Sequence, residues 1–156
     1  MDTTARCLVL TCGNTLRSDD GVGQKLAEWA AERFQKNDDV RVIARQQWTP
    51  DLAQDIAAAD SVLFVDASVK SKAGRVSLIP VAPKNPNGSG TSHDLDAPEL
   101  LGLTRSLFGS MSAHAMLLTV GASSTELGEE LSEPVEAALP RAQGVLEKAV
   151  LRFLQN

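Results

Sequence analysis

The side chains of this chain best suited to chemistry are few. They are the adjacent acids Asp19-Asp20, the isolated Asp66, and the two histidines His93 and His114. Carboxylates and an imidazole brought to one sheet edge suit a divalent cation, or general acid and base work in a cleft. Taken singly each has a plainer explanation, because an aspartate before a helix is a common cap and a loop histidine is often just solvated. The pair is harder to dismiss. A cap needs one acid, and the second is left to point elsewhere.

The elements that must position these groups follow from the apolar patterning. Cys7 to Leu10 is a short apolar run of the kind buried on both faces of a parallel sheet. Gly13-Asn14 breaks it, and Ser18-Asp19-Asp20 precedes a helix marked by Val22, Leu26, Trp29, Ala30 and Phe34. The acid pair is thus expected beyond the carboxyl end of the first strand, where open α/β sheets hold ligands. Val40–Ala44 is a second strand, and a helix from Thr49-Pro50-Asp51 to about Ala59 follows. Val62–Val65 is a wholly apolar strand that delivers Asp66 to the same edge.

Arg75–Ile79 alternates like an edge strand or hairpin partner. Residues 80 to 92 form a long Pro- and Gly-rich loop that ends at Ser92-His93-Asp94, and loops of such length are commonly functional. Leu95, Leu100, Leu101, Leu103 and Leu107 mark a helix with Pro98 in its first turn, and His114–Gly121 is a further buried strand. Ser132-Glu133-Pro134 starts the last helix with Ser132 as cap and an early proline, and Pro140 and Gly144 are expected to kink or split it. His114 begins its strand, so it falls at the edge opposite Asp66 and reads as structural. His93 closes a loop able to fold over the site edge and is the better ligand.

Strands alternating with helices predict an α/β fold: a three-layer sandwich with a twisted, mostly parallel five-stranded sheet covered on both faces. The 156 residues suit a single domain spanning 1–156. A hydrophobic content of 43% is that of an ordinary globular protein, and a net charge of -5 gives no nucleic-acid footprint. No apolar run is long enough to span a membrane, and the N-terminus leaves no room for a signal peptide before the first strand. Cys7 and Cys12 lie an odd number of residues apart on one strand, face opposite ways, and read as thiols in a reducing, cytoplasmic compartment. Cys12 could line the site.

Familiar signatures are absent. Gly13, Gly21 and Gly23 lack dinucleotide-binding spacing, no P-loop is present, and no G-x-S-x-G nucleophile elbow occurs.

Gly13-Asn14-x-Leu16-x-x-Asp19-Asp20-Gly21-x-Gly23 resembles the N-terminal signature of the nickel–iron hydrogenase maturation endopeptidases. Val65-Asp66-Ala67, Ser92-His93 with Pro98-Glu99-Leu100-Leu101, and Leu131-Ser132-x-Pro134-Val135 resemble its later motifs, in the same order. The resemblance implies a cytoplasmic peptidase that removes a C-terminal extension from the precursor of the hydrogenase large subunit after nickel insertion. It implies that Asp20, Asp66 and His93 contact the metal and take part in catalysis. The nickel is supplied by the substrate rather than held by the free protein, and a monomer is expected.

Two carboxylates and one imidazole would form a weak, open site able to complete the coordination of nickel already held by substrate thiolates. Hydrolysis could use that nickel as a Lewis acid with Asp20 or Asp66 as general base. Two features depart from the family pattern. Thr11-Cys12 precedes Gly13-Asn14 where a G-x pair is usual, and Gln46-Gln47-Trp48-Thr49-Pro50 replaces a glycine-rich loop near the expected peptide groove. Two other readings are a checkpoint that binds nickel-loaded precursor without cutting it, and a peptidyl-tRNA-hydrolase-like esterase. The second lacks both the expected histidine and a basic surface.

Overall fold

A computed structural model describes residues 5–85, 95–112 and 114–155. In chain order it contains β1 (Ala5–Cys12), a 3₁₀ turn (Ser18–Gly21), α1 (Val22–Arg33), β2 (Val40–Arg45), α2 (Leu52–Ala57), β3 (Ala59–Ser68), β4 (Val76–Pro80), α3 (Ala97–Phe108), β5 (His114–Gly121) and α4 (Glu133–Gln155). The strands form one sheet in the order β2-β1-β3-β5-β4. β1, β2, β3 and β5 are parallel, and β4 runs antiparallel along the edge of β5.

The sheet separates two cores, and strand alternation decides which residue enters which. Cys7 and Val9 of β1 and Leu63 and Val65 of β3 pack against α1 and α4, through Leu26, Ala30, Ala142, Leu146 and Val150. Leu8 and Leu10, with Val62 and Phe64, face the other way onto Leu52 and Ile56 of α2 and Leu100 and Leu101 of α3. This double burial is why the strands read as continuous apolar runs. It also places Cys7 and Cys12 on opposite faces, as their spacing requires. No helix among the described residues is long and apolar enough to cross a membrane.

Several boundaries differ from expectation. β3 is longer than Val62–Val65 at both ends, so Asp66 lies within it, paired with Thr119, and the strand continues to Ser68. α3 begins at Ala97 and leaves Leu95 outside. α2 is short, because the chain has already joined the sheet at Ala59, paired with Ala5, and the Ser61 hydroxyl donates to the Arg6 carbonyl at 3.0 Å. α4 is one unbroken helix although Pro140 lies inside it. A mid-helix proline costs about 3 kcal/mol, but Val135, Ala138, Ala142, Leu146, Ala149, Val150 and Phe153 form one buried stripe on both sides of it. Burial of that stripe outweighs the missing hydrogen bond.

The crossing from β1 to α1 is held tight by close backbone approach. A Cβ at Gly23 would fall on the Cys12 carbonyl oxygen, and one at Gly13 on that of Asp20. Only glycine lets the first turn of α1 sit this close to the strand end, and this closeness puts Asp20 at the carboxyl edge of the sheet.

Candidate active site

The two adjacent acids do different work, and neither caps α1, whose N-cap is Gly21 with no side-chain bond. Asp19 is fully buried. Its carboxylate accepts from the backbone N–H of Ser123 (2.7 Å), Ser124 (3.1 Å) and Ser132 (2.6 Å), and from the Ser132 hydroxyl (2.8 Å). Burial pulls the Asp19 carboxyl upward, but these bonds outweigh it and hold the group below its ordinary range. Asp19 therefore ties the loop after β5 and the start of α4 to the 3₁₀ turn. The Ser132 hydroxyl, expected to cap α4, is spent on this link instead.

Asp20 points the other way. One of its oxygens, Oδ2, accepts from the Asn14 backbone N–H at 2.8 Å, and the side chain faces a cavity. Asp66 reaches the same cavity from β3, one register step beyond the Thr11–Val65 pair, and so beside Cys12. Burial pushes the Asp66 carboxyl up to about 7. The Ala67 amide, bonded to Oδ1 at 2.8 Å, opposes the rise, and the neighbouring Asp20 carboxylate adds to it. A carboxyl poised near neutrality can take or give a proton at physiological pH.

The cavity measures about 420 Å³ and is lined by Cys12, Asp20, Gln46, Gln47, Trp48, Asp66, Ala67, Leu95, Asp96 and Glu99. Trp48 forms its wall. The indole is buried, lies edge-on to Phe64 at 5.2 Å, and donates from Nε1 to the Thr11 carbonyl at 3.3 Å. The Trp48 carbonyl accepts from the Leu95 N–H at 3.2 Å, which joins this wall to the start of α3. Asp96 and Glu99 face the cavity but are engaged in a capping box: Asp96 accepts from the Glu99 N–H at 2.8 Å, and Glu99 from the Asp96 N–H at 3.2 Å. The pattern Asp96-x-x-Glu99 carries that signal in the sequence.

Asp20 and Asp66 are thus brought together, and Cys12, kept as a possible lining residue, joins them. The Gln46-Gln47-Trp48 segment lines the same cavity, near the expected groove. His93 lies outside the described residues. His114 is exposed at the opposite edge, beside Ser61, with its ring 6.5 Å from that of Phe153. Among the described residues no three His, Cys, Asp or Glu side chains are grouped so as to hold a metal ion.

Residues 24–149 match the family model of HycI, the hydrogenase maturation protease. No curated protein matches the chain. Among solved structures it is similar to a [NiFe] hydrogenase maturation protease HycI from Thermococcus kodakarensis, with 27% identity over 97% of this chain and 94% of the other, and a TM-score of 0.67. A hydrogenase 2 maturation peptidase from a Thaumarchaeota archaeon matches with 27% identity over 93% and 97%, at a TM-score of 0.66. The hydrogenase maturating endopeptidase HybD from E. coli shares the fold, with a TM-score of 0.75 at 23% identity over 94% and 93%. The family match decides against the esterase alternative. With its mostly parallel sheet, its two acids at one edge and a family match over most of its length, the chain belongs to the hydrogenase maturation proteases and is a peptidase.

Proposed function

We propose that this peptidase removes a C-terminal extension from the precursor of a [NiFe] hydrogenase large subunit, and that it recognises nickel held by that precursor through Asp20, Asp66 and His93. The observation that carries the reading is the meeting of Asp20 and Asp66 in one cavity, with the Asp66 carboxyl held near 7. His93 is included on the family resemblance of Ser92-His93 alone.

The chemistry follows from the donor set. Hard carboxylate oxygens and one imidazole bind nickel weakly by themselves but can complete the coordination of an ion already held by thiolates. Nickel on the substrate supplies Lewis acidity toward the scissile carbonyl. One carboxylate of the Asp20–Asp66 pair takes the proton of the attacking water and returns it to the leaving amine. Asp20, fixed by the Asn14 amide, orients the substrate's metal. Precursor without nickel offers no ligand-hungry centre to these groups, so cleavage waits on metal loading.

Asp20→Asn keeps the shape and the Asn14 hydrogen bond but removes the negative charge. Processing of nickel-loaded precursor should fall by roughly 10²-fold or more, while capture of the precursor in a pull-down persists. Full activity in this variant would sink the assignment of Asp20. Loss of capture with no cleavage even by the unaltered protein would favour neither cutting nor a checkpoint.

A further inference from the structure

One edge of the sheet is open and leads to the cavity. β2 stands at the end of the strand order and, among the described residues, pairs with β1 alone. Two bonds fix which of its main-chain groups face inward. The Cys7 N–H donates to the Asp39 carbonyl at 2.9 Å, and the Gly13 N–H to the Arg45 carbonyl at 3.0 Å. In a parallel pair the N–H and C=O of one residue point to the same side, and that side alternates along the strand. Arg41, Ile43 and Arg45 therefore serve β1, while Val42 and Ala44 turn both main-chain groups outward. No described residue bonds to those four groups. Val42 is half-buried and Ala44 is exposed.

Open edges are ordinarily blunted by proline, a bulge or a covering segment. β2 contains no proline, and its register with β1 runs unbroken to Arg45. It then continues directly into Gln46 and Gln47, which line the cavity. The opposite edge strand, β4, contributes no residue to that cavity. A peptidase acts on polypeptide, and an extended polypeptide complements an unpaired strand edge whatever side chains it carries.

We propose that the outer edge of β2 at Val42 and Ala44 binds the precursor segment beside the scissile bond as an added strand, led past Gln46 and Gln47 into the cavity; this rests on the function proposed above. Neighbouring strands lie about 4.8 Å apart. An added strand is separated from β3, and so from Asp66, by β2 and β1, a span of about 14 Å. Extended chain covers that span in about four residues. The paired segment thus lies about that far from the bond cut, and main-chain pairing leaves its side chains unconstrained. A second copy of this chain fits the edge less well. The antiparallel register that sets Val42 opposite Ala44 also sets Arg41 opposite Arg45, and like charges facing across strands are unfavourable.

Hydrogen exchange of the Asp20→Asn variant, with and without nickel-loaded precursor and read residue by residue by mass spectrometry, tests this. The Val42 and Ala44 amides should exchange about tenfold or more slowly with precursor present, while the Ile43 amide, which faces β1, serves as the internal reference. Unchanged exchange at both positions, with precursor captured, overturns the inference alone. So does protection of both amides in the free protein that grows with its concentration, which assigns the edge to a second copy. Ala44→Pro removes one outward N–H at a place where an edge strand tolerates proline. With folding verified by its thermal midpoint, its KM for loaded precursor should rise about tenfold and its kcat stay within about twofold. An unchanged KM overturns the inference, and the exchange result decides if the variant fails to fold. If the unaltered protein neither captures nor cleaves loaded precursor, the function proposed above falls and this inference with it.

Discussion

Replacing Asp66 with asparagine should make the protein more stable at pH 8 and nearly inactive. In the folded state burial moves this carboxyl from its ordinary 3.8 to about 7, with the Asp20 charge adding to the rise. A raised carboxyl means that the folded protein holds a proton which the unfolded chain has already released. Stability therefore falls as pH rises from about 4 to about 7, and above that window the whole penalty is present. Fully realised, a displacement of this size corresponds to about 4 kcal/mol. Asp66 retains some contact with water, so roughly half is a reasonable expectation.

Asparagine keeps the acceptor for the Ala67 amide and carries no charge. Asp66→Asn should then gain about 2 kcal/mol at pH 8, or roughly 4–8 °C in midpoint. The gain should shrink as pH falls toward 4. Processing should drop by about 10²- to 10⁴-fold, the range for loss of a general base. Thermal melts of both proteins across pH 4–8 check the first part. A flat difference, or a less stable variant at pH 8, would contradict the buried-charge account of Asp66.

Asp19→Ala should have the opposite sign and a larger size. It strips the acceptor from three backbone amides and a hydroxyl in a partly buried setting. Each donor left without a partner costs about 1–3 kcal/mol where water cannot reach it. Ser123 is exposed enough to rehydrate, so about 3–4 kcal/mol in total is expected. That is a large part of the 5–15 kcal/mol typical of a domain. Asp19→Asn should lie between, because its amide group meets a donor with a donor. The depressed carboxyl adds a pH signature. Its stabilisation is complete above the unfolded-state value and is lost as pH falls through the lower folded-state value. Acid unfolding should thus be steeper in the unaltered protein than in Asp19→Asn. Denaturant midpoints from neutral to acid pH measure both effects, and a loss at Asp19→Ala below about 1 kcal/mol would show that the clamp does little.

The contrast between these neighbours also shows where sequence reading stops. That an acid of the pair should be left over from helix capping was legible from the pair itself, but the expectation that the other acid caps the helix fails, since neither caps α1. Where each acid points was not legible, because the partners of Asp19 lie more than a hundred positions along the chain in a loop with no periodic pattern. The buried runs at Leu8–Leu10 and Val62–Val65 were legible because both sheet faces are covered, leaving no polar alternation to confuse them. Pro140 misled for the converse reason: its local penalty is visible in sequence, whereas the buried stripe that overrides it is visible only in packing.

Trp48 marks the same limit at the cavity. Its segment could be placed near the groove through the family resemblance, but its role as a wall depends on Phe64 and on the Thr11 carbonyl of β1, both set by tertiary contact. Asp66 was accessible by a simpler route. An acid that follows a wholly apolar run falls near the carboxyl edge of the sheet, even though β3 itself continues to Ser68.

The central claim is cleavage gated by substrate nickel. Its most direct test is the intact mass of a purified [NiFe] hydrogenase large-subunit precursor from the same genome, prepared with and without nickel and incubated with this protein. The account predicts loss of a C-terminal peptide from the nickel-loaded form alone. Equal cleavage of both forms would contradict gating by the metal, and no cleavage of either would contradict the assignment of this substrate.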